Sequence, residues 1–184
     1  MIYVALLRGI NVGGNTKVSM SQLKTALEQT GLRAIKTYIN SGNIIFRDNS
    51  HTSNELVDLV ERTIRTEFGF EVKVLIRDIN AMKTVAEALP ASWRNDSTMK
   101  CDVMFLWDDV DHEDVLKQLI IKPEIDSVLY VPGAVLFAVD RQNVTKSGLV
   151  KIVGTPLYKK MTARNCNTTR KLFEIMSSIE EITI

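Results

Sequence analysis

The chain is expected to be an α+β protein made of two ferredoxin-like (βαββαβ) subdomains related by duplication, with helices packed on antiparallel sheets. Three observations predict this. Short apolar runs of strand length alternate with stretches of helical periodicity. The order strand, helix, strand, strand, helix, strand is complete within residues 1–77 and matches a split βαβ unit. A second pass of similar order begins after a polar stretch that ends near residue 100.

The first pass reads clearly. Met1–Arg8 is a short apolar strand that runs into a glycine loop. Ser19 and Gln22 have capping-box spacing, and Met20, Leu23, Ala26, Leu27 and Thr30 repeat at helical spacing until Gly31. Ile35, Thr37 and Ile39 alternate with polar residues as a half-buried strand does. Asn40-Ser41-Gly42-Asn43 is a turn, because Gly and Asn tolerate positive φ, and Ile44–Phe46 returns as the second arm. Thr52 and Glu55 form another capping box, and Leu56, Leu59, Val60, Ile64 and Phe68 line a helix that stops at Gly69. Val72, Val74 and Ile76 alternate in the closing strand. Residues 78–100 are expected to hold a connecting helix, Asp78–Leu89, ended by Pro90, and a polar linker.

The second pass, residues 101–184, repeats the element order rather than the residues. Cys101–Trp107 is an apolar strand, and Asp111–Ile120 is expected to be a helix with Val115, Leu116, Leu119 and Ile120 inward. Val128–Val131 and Ala134–Val139 flank a Pro132-Gly133 turn, with Tyr130 and Phe137 in the places of Tyr38 and Phe46. Asn165–Ile179 is expected to be the last helix and Ile182–Ile184 a short closing strand, leaving 141–163 as an insertion. Each half, at roughly 80 residues, can bury only a modest core alone.

Composition excludes some classes. Apolar residues make up 45% of the chain and charged residues 24%, an ordinary globular balance. No apolar run reaches the ~18–20 residues of a membrane span, so no membrane partner is expected. The apolar start is too short, and lacks the basic residues, for a signal peptide. The two cysteines, Cys101 and Cys166, fit reduced thiols in the cytoplasm. Net charge is +1, but its distribution is uneven: Arg141–Phe173 holds eight basic and no acidic residues, downstream of the acidic run Asp108, Asp109, Asp111, Glu113, Asp114. Such asymmetry marks either an anion-binding face or two segments that neutralise each other.

Three polar segments carry the candidate chemistry. In the first, Arg8-Gly9-Ile10-Asn11-Val12-Gly13-Gly14-Asn15-Thr16-Lys17, the P-loop spacing fits at Gly9, Gly14 and Thr16, but Asn15 stands where the phosphate-neutralising lysine belongs. The dinucleotide fingerprint lacks its second glycine. What is left is a strand-to-helix connection or a loop of backbone amides that holds an anion beside Arg8 or Lys17. The second, Tyr38–Asn43, reads as a hairpin turn; Ser41 has no nucleophile-elbow context and neither histidine is placed as its base. The third runs from Thr162 to Lys171. Thr162 or Asn165 caps the following helix, and Arg164, Arg170 and Lys171 bring positive charge to a helix start that already favours an anion. Cys166 lies there too, yet a thiol without a placed histidine is thin ground for a nucleophile. Asp109, Asp111, His112 and Asp114 match no metal-ligand spacing and read as first-turn acids facing a helix dipole. No metal or cofactor is expected.

The stretches Ala5–Gly14, Thr37–Phe46 and Thr162–Thr168, in that order, resemble the bacterial domain-of-unknown-function family numbered 1697 over nearly the whole chain. The resemblance implies a two-subdomain α+β fold and no established activity. This chain departs from it at Asn15, where members often carry lysine, and at Cys166, where they often carry tryptophan. The polar motifs, each at a loop or helix start, imply a ligand site comprising Arg8, Gly9, Asn11, Gly13, Gly14, Lys17, Asn40, Ser41, Asn43, Arg164, Asn165 and Thr168. The expected role is binding of an anionic ligand, either nucleic acid or a phosphorylated small molecule. The alternatives are a small-molecule enzyme using the three motifs, with Ser41 or Tyr38 as the reactive hydroxyl, and an interaction protein that pairs its sheets as a homodimer.

Overall fold

A computed structural model describes residues 1–11 and 16–181. The chain divides into two units, residues 1–80 with 172–184, and residues 81–171. No helix among the described residues is long and apolar enough to cross a membrane.

In the first unit, β1 (Ile2–Leu7), β2 (Arg33–Thr37), β3 (Asn43–Arg47) and β4 (Val74–Asp78) form an antiparallel sheet in the order β2-β3-β1-β4. Helices α1 (Met20–Gln29) and α2 (Ser53–Phe68) make the two crossovers. Ala5 pairs with Ile44 on one side and Ile76 on the other. That register points Ala5, Leu7, Ile44, Phe46, Val74 and Ile76 to one face, where they meet Leu23 and Leu27 of α1 and Leu56, Val60 and Ile64 of α2. Each fully buried side chain of this size contributes about 1.5–3 kcal/mol. Val4, Leu6, Ile45 and Leu75, on the opposite face, are buried as well. A sheet buried on both faces reads as a continuous apolar run, which is why β1 and β3 show no alternation.

The caps are where the spacing placed them. Ser19 Oγ accepts from the Gln22 N–H. Thr52 and Glu55 form a complete capping box, and Gly69 closes α2 in the left-handed conformation. Two strands depart from expectation: β4 starts at Val74 and leaves Val72 outside it, and β2 is shortened. It ends at Thr37, and Ala34 sits at positive φ within a register shift. Ile39 is outside the strand, left-handed at φ 50° and 49% exposed.

Helix α3 (Ile79–Ala88) starts in the first unit and continues into the second, burying Met82 and Val85. Of the linker expected at 91–100, residues 91–98 are stitched into the second unit. Arg170 Nη1 and Nη2 donate to the Trp93 and Pro90 carbonyls, Arg141 Nε donates to Asp96 O, and Asn167 Nδ2 donates to Asn95 O.

The second sheet comprises β5 (Met99–Leu106), β6 (Ser127–Val131), β7 (Ala134–Asp140) and β8 (Met161–Asn165). Its order, β6-β7-β5-β8, is that of the first sheet, and all its pairings are antiparallel. Two expectations are corrected here. The closing strand is β8, so most of the supposed insertion at 141–163 is the second crossover, and it is built of 3-10 turns at Arg141–Lys146, Leu149–Ile152 and Leu157–Lys160. The last helix, α4 (Cys166–Glu181), therefore follows the sheet as α3 follows the first, and its residues from Leu172 onward group with the first unit. The proposed strand Ile182–Ile184 lies outside the described residues.

The helix expected at Asp111–Ile120 is a 3-10 turn, Glu113–Gln118, entered without a side-chain cap. Asp111 is occupied elsewhere. Its Oδ1 accepts from the Tyr130 hydroxyl at 3.0 Å and the Gly133 N–H at 2.9 Å, clamping the β6–β7 hairpin. Helix of so few residues is marginal without a cap. The crossover backbones also pass in close contact. A Cβ on Gly148 would lie 2.1 Å from the Ile120 carbonyl oxygen, and Asp126 Oδ2 accepts from both Lys122 N and Gly148 N.

Candidate functional site

The expected site residues fall in both units. In the first unit they surround the mouth of β1. The chain leaves the sheet through Arg8, whose N–H donates to the Lys73 carbonyl, and turns at Gly9 and Asn11, both at positive φ. Gly13 and Gly14 lie outside the described residues.

Asn11 is committed to structure. Its Nδ2 donates to Val18 O at 3.1 Å and Asn40 O at 2.7 Å, and its Oδ1 accepts from Val18 N at 3.0 Å. One side chain thus ties the glycine loop to the entrance of α1 and to the β2–β3 turn. Asn43 is fully buried and donates to Tyr38 O and Ser41 Oγ, closing that turn from inside. Gly42 is forced by space: a Cβ there would sit 2.7 Å from Leu7 Cβ, at a φ of 81°. These three positions hold the loops in register.

Lys17 and the Asn40 side chain are exposed. They border an open hollow of about 730 Å3, lined also by Asn11, Val18, Ser19, Met20 and Ser21. The Ser19 and Ser21 hydroxyls are 3.1 Å apart at the start of α1, where backbone N–H groups point outward and the helix dipole favours negative charge. Ser19, Met20 and Ser21 were not singled out in the sequence beyond capping and periodicity. A cap serine beside an exposed lysine was the available signal.

In the second unit the third motif is largely internal. Arg164 is 7% exposed, and its Nη1 donates to Thr162 Oγ1 at 3.1 Å and to its neighbour's carbonyl, Ala163 O, at 2.8 Å. Burial lowers its guanidinium to about 10, which leaves it cationic at neutral pH. Asn165 Oδ1 accepts from Thr168 N at 2.8 Å, the N-cap bond of α4, and Thr168 is buried. Arg141 and Arg170 hold the 91–98 loop, and Lys160 pairs with Asp109 at 2.7 Å. Much of the basic run is therefore engaged within the unit. Among the described residues no three His, Cys, Asp or Glu side chains gather as a metal site requires.

The fold class is thus an α+β protein of two four-stranded antiparallel sheets, with an open hollow beside the first loop. A family model described as a protein of unknown function (DUF1697) matches residues 1–137, and the chain belongs to that family. The match takes in the first two motifs and stops before the third. Among solved structures the chain is similar to the conserved bacterial protein SP0830 from Streptococcus pneumoniae, with 27% identity and a TM-score of 0.80 over 95% of this chain and 98% of that one. No curated protein matches the sequence.

Proposed function

We propose that the protein binds a small anionic ligand, bearing phosphate or carboxylate, in the hollow between the first loop and the β2–β3 turn. The observation that carries this reading is the lining itself. Lys17 supplies a positive charge, Ser19 and Ser21 supply hydroxyls, and the start of α1 supplies backbone donors on the same wall. Asn11, itself part of the lining, fixes that wall through three hydrogen bonds to Val18 and Asn40. A rigid support of this kind keeps donors aimed before a ligand arrives.

A small ligand is favoured over nucleic acid, because Arg141, Arg164, Arg170 and Lys160 are spent on internal partners rather than spread over an open basic face. The two sheets share one strand order, which we read as duplication, with the 3-10 crossovers of the second unit as the divergent copy. The two free thiols fit a reducing cytoplasm.

The test is a titration of amide resonances with inorganic phosphate and, separately, with a nucleoside monophosphate. Shifts should concentrate at Lys17–Ser21 and Asn40, and Lys17→Glu should weaken binding at least about tenfold, the equivalent of ~1.4 kcal/mol. Equal affinity in the Lys17→Glu protein would remove the proposal. Retarded migration of a labelled oligonucleotide with no phosphate effect would replace the small ligand with nucleic acid.

A further inference from the structure

The second unit contains a feature that anion binding does not use. Cys101 lies on β5 and Cys166 opens α4, and both are free and buried. The β5–β8 ladder ends at the pair Asp102–Asn165, and Cys101 and Cys166 are the next residues beyond it, Cys166 as the first residue of α4. Residues paired in an antiparallel ladder stand about 4.5–5.5 Å apart at Cα, so two residues that directly follow its last pair leave from within the span of about 4.4–6.8 Å that a disulfide bridges. Each thiol shifts the ionisation of the other.

The surroundings of the pair are unequal. Cys166 Sγ lies 3.8 Å from the Trp93 carbonyl and 3.5 Å from Asn167 Oδ1. Trp93 belongs to the polar 91–98 loop, and Asn167, the next residue of α4, is exposed. Arg170, one helical turn along, brings a guanidinium to the same place and fixes the Trp93 and Pro90 carbonyls. The neighbouring Cys101 thiol favours the Cys166 thiolate, burial opposes it, and the Arg170 charge and Asn167 N–H favour it again, with a net lowering. Cys101 is pushed the other way, first by its Cys166 neighbour and then by burial.

We propose that Cys101 and Cys166 are a reversible dithiol–disulfide pair, in which Cys166 reacts first with a hydroperoxide and Cys101 resolves it. The Cys166 thiolate attacks one peroxide oxygen. The S–O bond forms as the O–O bond breaks, leaving a sulfenic acid and hydroxide, or an alkoxide from an organic peroxide. The Cys101 sulfur then attacks Cys166 Sγ. The S–S bond forms, the S–O bond breaks, and the hydroxyl departs as water with the Cys101 proton. The two thiols lose two electrons together and the peroxide gains them. A thiol donor restores the pair by exchange through a mixed disulfide.

The test is mass spectrometry of the whole native protein after exposure to hydrogen peroxide. The expected product is a monomer lighter by two hydrogens, with residues 101 and 166 in one cross-linked peptide, returned to the starting mass by dithiothreitol. In Cys101→Ser the intermediate should persist and be trapped on Cys166 by dimedone. Cys166→Ser should give neither adduct nor cross-link. Far-UV circular dichroism of both variants checks their folding, and if either fails to fold, the wild-type cross-link decides. Two alkylatable thiols remaining after treatment would overturn the proposal. So would sulfinic or sulfonic acid on Cys166 without the two-hydrogen loss, or a cross-link that forms only in urea.

Discussion

Ile39 is the residue at which local physics is most visibly overruled. A β-branched side chain at φ 50° crowds its own backbone, at about 1–2 kcal/mol, and at 49% exposure recovers little of this by packing. The conformation is imposed by its neighbours. Tyr38 and Asn43 are tied by N–H to carbonyl and by the Asn43 side chain, and the Asn40 carbonyl is held by Asn11. Strain held this way beside a hollow is common at ligand sites. Replacing Ile39 with Gly should raise stability by about 0.5–1 kcal/mol after the entropy cost of glycine, and the melting temperature by about 1–3 °C. A lowered melting temperature would show that the isoleucine side chain contributes packing worth more than its strain. The hairpin spacing placed a turn here, yet it assigned Ile39 to the strand face. Alternation cannot separate the last strand residue from a left-handed turn residue of the same chemistry.

Among the elements, the entrance to α2 shows how much a short polar stretch can carry. Asp48 is buried, and its Oδ2 accepts from the N–H groups of Ser50 and His51 while Oδ1 meets the His51 ring at 3.1 Å. Burial alone raises this carboxyl, but the backbone and ring of His51 and the Ser50 N–H outweigh it and hold it below its ordinary value. A carboxyl lowered by folding contributes stability above its unfolded pKa, about 3.9, and loses it as pH falls through the folded value. Asp48→Asn should therefore cost about 1–2 kcal/mol in urea unfolding at neutral pH, with the gap to wild type closing below about pH 4. A gap that stays constant through the acid range would mean that the charge plays no part. This device was invisible as such in the sequence, where only the Thr52–Glu55 box stood out. Asp111 is the counterpart in the second unit. Read as a first-turn helix acid, it is in fact the acceptor that pins Tyr130 and Gly133.

Across the whole molecule, the chain's end returns to the unit in which it began. Arg47 Nη2 of β3 donates to the Ile179 carbonyl, and Leu172, Met176 and Ile179 are buried. Deleting residues 172–184 should speed amide exchange in β1 and β3 more than in β5 and β7. Equal acceleration in both sheets, or faster exchange in the second alone, would mean that this segment does not support the first unit. Trp93 and Trp107 both lie in the second unit, so tryptophan fluorescence would follow that unit while exchange follows both.

The sequence by itself determined the first unit almost element by element, since capping boxes, helix stops and apolar periodicity are local signals that depend on residues three or four apart. In the second half it located the first three strands, β5, β6 and β7. Tertiary structure decided what closes the second sheet. β8 carries Thr162 and Arg164 at buried positions, so its composition imitates a loop, and only pairing with β5 makes it a strand. Tertiary structure also decided which polar residues face outward. Asn11, Asn43 and Arg170 look like ligand-binding groups in a linear reading, but each is spent on a backbone carbonyl that folding brings within reach. A buried carbonyl must find a donor, and the donor that satisfies it belongs to a distant part of the chain.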